Sequence, residues 1–138
     1  MTLFLFQKKI FFAAYRTSGG DFSGTITYDI ADINEGAGFN KNTGTFRAPE
    51  GGTYGFTFSG TSSLNDPSVT YVRVYKDGNQ QHGIGDFNAA NWGNNLSSSW
   101  MMQLSKNEEV YLSVSAGKLF ASSSWPVIFT GNLLKLDD

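Results

Sequence analysis

Cysteine is absent from the chain, which excludes a disulfide framework and any thiolate metal site, although it leaves the cellular compartment open. Histidine occurs once, as His82, so a cluster of imidazole ligands cannot form. Charged residues make up only 16%, too few for a polar disordered chain. The ten lysines and arginines are scattered as singles or pairs and are balanced by twelve acids, for a net charge of −2. With no basic stripe, nucleic acid is a poor partner. No apolar run approaches the length of a bilayer, so no membrane span is expected. Missing too is any window with apolar residues at helical spacing behind a cap, which argues against a substantial helix.

What the chain does have is glycine, sixteen residues of it, and 15% aromatics over 138 residues, enough for one domain with one core. Almost every ordered segment alternates at period two: "FFAAYRT" (11–17), "GTITYDI" (24–30), "GTYGFTFSG" (52–60), "VTYVRVYKD" (69–77), "SSSWMMQLS" (97–105), "EVYLSVSA" (109–116) and "PVIFTGNLLKL" (126–136). The class is therefore all-β. Alternation puts Tyr54, Phe56 and Phe58 on one face of their strand, and Phe129 and Leu133 on one face of another. These five are the expected core of a two-sheet sandwich. Asp77-Gly78 predicts a tight hairpin turn, because glycine accepts positive φ without a Cβ clash. The longest irregular stretches are expected at 83–95 and 116–124, where ligands are usually met on a β scaffold.

The N-terminal "MTLFLFQKK" lacks the features of a signal peptide: its apolar run is short, and no basic residue precedes it. Residues 1–9 read as an extension or an artificial edge, and 10–138 as the globular domain.

Around the stretch "GTFRAPEGGTYGFTF" a longer pattern emerges: Tyr28, Asn34, Phe39, Phe46 and then Gly52-Thr53-Tyr54-Gly55-Phe56-Thr57-Phe58. It resembles the motif of the complement C1q globular-head family, a branch of the C1q and tumour necrosis factor superfamily. "VRVYKDG", "MQLSKNEEVYLSV" and "FTGNLL" extend the resemblance in order to about residue 136. The chain departs from the family at Tyr28, where Phe is frequent, at Ala48, where Cys is common, and at Asn107-Glu108, where Gly-Asp is usual. No collagen-like Gly-X-Y repeat is present.

The resemblance implies a jelly-roll sandwich of two five-stranded antiparallel sheets that assembles as a homotrimer, secreted and extracellular. Under it, the face opposite the core supplies subunit contacts, with Gly55, Thr57, Met101, Gln103, Ile128 and Leu134 as candidates. It also implies a non-catalytic recognition head of innate immunity, binding microbial polysaccharide or lipopolysaccharide. The alternatives are a signalling or adhesion ligand for a protein receptor, or the trimerisation head of a longer structural protein.

Catalysis finds little support in the residues themselves. His82 in "NQQHGIG" reads as a solvated turn residue with no nucleophile elbow nearby, and no pair of acids has a distinguishing context. Calcium is the one ion to consider. Asp86, the Phe87 carbonyl, and the Asn91 and Asn94 side chains can offer hard oxygens, in a loop resembling one where some family members hold calcium. With a single carboxylate, an Asn-rich loop is the plainer reading. Trp92, Phe120 and Trp125 border the loops, where a large aromatic is either covered or serves as a platform for sugar rings or a protein partner, with Asn91 alongside. "NLS" at Asn95 is a glycosylation sequon if the chain is secreted.

Overall fold

The computed structural model describes residues 8–65, 69–86 and 93–138. Among them there is no helix. Eleven strands follow one another: β1 Phe11–Arg16, β2 Gly20–Thr25, β3 Ile30–Glu35, β4 Phe39–Asn40, β5 Thr45–Arg47, β6 Gly52–Ser62, β7 Thr70–Lys76, β8 Asn79–Asp86, β9 Asn95–Leu104, β10 Glu109–Ala121 and β11 Val127–Leu136.

They form two antiparallel layers. The first runs β3-β1-β11-β6-β9. In the second, β10 pairs with β7 on one side and with β5 and β2 on the other, β8 adds to β7, and the two-residue β4 makes a hairpin on β5. Each layer thus has five principal strands, in a jelly-roll sandwich. The layers meet at a corner, where Leu119 and Phe120 of β10 pair with Ser62 and Thr61 of β6.

Alternation explains the core. On β6, Tyr54, Phe56 and Phe58 are at most 2% exposed, and Phe129 of β11 is fully buried beside them. Phe12, Phe39, Phe46 and Phe129 pack ring on ring at centroid distances of 4.4 to 5.9 Å. Removing each such ring from water contributes about 2–3 kcal/mol. The space is tight enough to require glycine at Gly131, where a Cβ would lie 2.3 Å from the Phe12 ring, and at Gly52, where it would lie 2.4 Å from the Lys135 carbonyl oxygen.

The spaced motif has a structural meaning as well. The Asn34 amide donates to the Phe39 carbonyl at 2.8 Å, and its oxygen accepts from the Phe39 N–H at 3.2 Å. This pin closes the turn between β3 and β4 and seats Phe39 on Phe12. The hairpin at Asp77-Gly78 forms with both residues at positive φ, 49° and 81°, as a tight turn between β7 and β8 demands.

Four expectations need correction. "GTITYDI" is not one strand: β2 ends at Thr25 and β3 begins at Ile30, while Ile26 and Tyr28 bond instead to the Leu112 and Lys41 carbonyls. Residues 83–86 are not loop but the end of β8, paired with Arg73 to Thr70. Residues 116–121 likewise continue β10, because β2 and β6 offer ladder partners there. His82, finally, is no turn residue: it sits on β8 opposite Val74.

Candidate functional site

Two surfaces gather the predicted site residues, and the first is the outer face of the β3-β1-β11-β6-β9 layer. Register puts Phe11, Asn132, Gly55 and Met101 in one row across it, Ile33, Ala13, Thr130, Thr57 and Ser99 in the next, and Tyr15, Ile128, Ser59 and Ser97 in a third. Met101 is 71% exposed, and Phe11, Ile33 and Leu134 are exposed as well. Leu134 leans over Gly55, where an added Cβ would meet its Cδ1 at 3.3 Å. The Thr57 and Thr130 hydroxyls bond to each other. A shallow groove of about 480 Å³ crosses this face over Gly55, Thr57, Met101 and Thr130.

All six residues expected at subunit contacts lie on this face. Two of the six, Thr57 and Gln103, are hydrogen-bonded within the chain. The Gln103 amide donates to Asp137 at 2.6 Å, and its oxygen accepts from the Thr53 hydroxyl at 2.9 Å.

The second surface lies at the corner where the layers meet. Leu119 turns inward and is fully buried, so its neighbour Phe120 turns outward. Trp125 follows in the turn before β11. The Ser122 N–H donates to the Trp125 carbonyl at 3.2 Å, and the Trp125 N–H donates to the Ser122 hydroxyl at 3.1 Å. The two rings stand 6.4 Å apart at 63° to each other. Together with Leu64, Gly93, Thr61 and Asn95 they enclose a cavity of about 200 Å³. Trp125 remains 56% exposed at its mouth.

A polar frame stands next to this cavity. Ser62 Oγ donates to Asp86 at 3.2 Å and accepts from the Asn94 N–H at 2.8 Å, while the Asn94 amide nitrogen donates to the same Asp86 oxygen at 3.0 Å. The frame ties the end of β8 and the start of β9 to β6. Among the described residues no three His, Cys, Asp or Glu side chains converge on a metal position. Since Asn94 turns a donor nitrogen to Asp86, the pair is arranged as a hydrogen bond and not as an oxygen cage, so it does not fit calcium as it stands. Phe87, Asn91 and Trp92 lie outside the described residues.

Sequence reasoning missed Thr61, Leu64 and Asn95 as lining, because only the corner pairing brings three distant segments together. It also missed the contact of His82 with Trp100, edge to face at 4.9 Å. Burial pushes the His82 imidazole below its ordinary value. Its Nε2 and the indole N–H of Trp100 are buried without a hydrogen-bond partner.

A C1q domain profile matches residues 10–134. The mouse complement C1q tumor necrosis factor-related protein 3 (Mus musculus) is 28% identical over 124 residues, which cover 90% of this chain and 50% of that protein. The human protein of that name (Homo sapiens) has the same identity and coverage, so this chain spans about half the length of the curated relatives it matches. Among solved structures, the globular domain of zebrafish complement 1qA protein is similar at a TM-score of 0.74 and 20% identity, over 94% of this chain and all of that one. Eiger TNF from S. frugiperda is similar at a TM-score of 0.68 and 11% identity, over 96% of this chain and 97% of that one. At such identities both structures speak to the fold.

Proposed function

The chain belongs to the C1q domain family through residues 10–134, and from that premise we propose that it is a non-catalytic, extracellular recognition head that works as a homotrimer and binds microbial surface glycans, lipopolysaccharide among them. The observation that carries this reading is the corner cavity, where Trp125, half out in solvent, and Phe120 form two aromatic walls beside the hydroxyl of Thr61 and the amide of Asn95. Large aromatics beside a few neutral hydrogen-bonding groups suit the alternating apolar and hydroxylated surface of a sugar.

The homotrimer rests on the outer face of the first layer. Exposed Phe11, Ile33, Met101 and Leu134 make it too apolar to be left to water, and a heterologous interface must close into a ring if it is not to grow indefinitely. Three cavities presented together convert weak single contacts into useful avidity. Calcium at Asp86 would require Asn94 to turn its amide oxygen inward, so the proposal invokes no ion.

Sedimentation velocity at micromolar concentration, followed by a glycan-array and bacterial-surface binding screen, tests the reading. A trimer that retains glycans is expected. A monomer that retains none would end it.

A further inference from the structure

We infer that the Phe120–Trp125 cavity takes a single uncharged sugar residue at the end of a glycan, and discriminates against sugars carrying carboxylate, phosphate or sulfate. The inference rests on the glycan-recognition reading above and deepens it. Its first support is the charge pattern of the lining. No lysine or arginine occurs between Arg47 and Arg73, between Lys76 and Lys106, or between Lys118 and Lys135. The three segments that meet at the cavity, carrying Thr61 and Leu64, Gly93 and Asn95, and Phe120 and Trp125, all fall within these cation-free spans.

Carboxylates, by contrast, stand near the lining. Asp21 is paired opposite Phe120 on β2, and Asp86 bonds to Ser62 and Asn94 next to the lining residues Thr61, Gly93 and Asn95. The nearest cation along the lining strands is Lys118, exposed two residues before Phe120 and not part of the lining. An anionic group drawn into such a cavity loses hydration with no positive partner among the lining residues to offset it, whereas a neutral hydroxyl needs only a hydrogen bond.

Size and shape supply the second support. At about 200 Å³ the cavity is smaller than the roughly 300–1,000 Å³ of common ligand pockets, and its two walls make a corner and not a flat shelf. A corner holds one ring inserted end-on, with its C–H face against Trp125 and its edge against Phe120. Thr61 Oγ1 and the Asn95 amide lie 3.4 Å apart at the polar edge. That long bond costs little to exchange for one to a sugar hydroxyl.

Asn95 also opens the triplet Asn95-Leu96-Ser97, so a glycan attached there would start at the lip of the same cavity. Protein made in bacteria, which leaves Asn95 unmodified, separates a free sugar from an attached one.

The test is saturation-transfer NMR and titration of that bacterially made full chain with methyl glycosides of neutral hexoses and N-acetylhexosamines, against N-acetylneuraminic acid and a sulfated hexose. The expected result is binding of neutral sugars at least about tenfold tighter than charged ones, lost by about tenfold in Trp125→Ala and unchanged in Lys118→Ala. Asn95→Ala gives a second, folded probe of the polar edge. Tighter binding of the charged sugars, or neutral binding that ignores both Trp125→Ala and Asn95→Ala, overturns the inference while glycan recognition stands. Failure of every sugar here and of every glycan in the array removes both.

Discussion

The two faces of the first layer share their strands and little else. Inward, Phe12, Phe56, Phe58 and Phe129 are sealed from water and fitted so closely that Gly131 admits no side chain larger than hydrogen. Outward, the same strands present Phe11, Thr57, Met101 and Ile128 in rows that mix methyl groups, hydroxyls and one thioether. The inner face is specified by volume, because each ring meets another ring. The outer face holds only a few hydrogen bonds within the chain, from Thr57 and Gln103, and its apolar members Phe11, Met101 and Leu134 stay exposed, which is why a second copy of the chain suits it.

That contrast can be broken most violently from inside. Phe56→Ala empties the centre of the aromatic cluster and is expected to cost about 3–5 kcal/mol, read by urea unfolding of the folded fraction. Next comes Asn34→Ala, which removes both bonds of the pin on Phe39 and leaves a carbonyl and an N–H to find water. A loss of about 2 kcal/mol in the same assay is expected, and Asn34→Asp should restore only the bond from the Phe39 N–H.

A smaller change of opposite sign is expected at Tyr28. Its phenol is buried without a partner, and burial pushes its pKa far up. Tyr28→Phe, which restores the residue frequent in the family, should therefore stabilise the fold by about 1 kcal/mol, and a lower melting temperature would contradict this account.

Acid should act on the edge of the sandwich. Burial in the folded state disfavours the charged form of His82, so the unfolded chain, with a value of about 6.5, binds the proton first. Stability is then fullest above that pH and declines as pH falls below it toward the folded value. His82 being the sole histidine, His82→Gln should flatten the melting profile across that window. Met101→Glu is expected to shift chain stability least, within about 0.5 kcal/mol, yet to dissociate the proposed trimer in sedimentation. An intact trimer would remove this face from the interface.

Much of this was legible beforehand, for a physical reason that also marks its limit. Strands with alternating aromatics, β6 and β11 above all, declare their register because a one-residue slip would turn every ring into water. The polar β2 "GDFSGT" and β8 "NQQHGIGD" carry no such signal, and they become strands only because β10 and β7 offer them unpaired carbonyls and N–H groups. Phe120, expected in a loop, is on a strand for the same reason. The departure at Asn107 is explained by its φ of 75°, a conformation natural to the family's glycine and tolerated by asparagine. Trp100, unremarkable in the sequence, lies opposite Phe56 in the β6–β9 ladder and met His82 only when the edge strands β8 and β9 closed on each other.

By itself, then, the sequence determined the all-β class, the identity of the core rings and the family, because local periodicity and spaced aromatics are properties of a single chain. The corner cavity was decided by tertiary structure alone. Thr61, Asn95, Phe120 and Trp125 belong to segments that no periodicity links, and they meet only because β10 crosses from one layer to pair with β6 of the other.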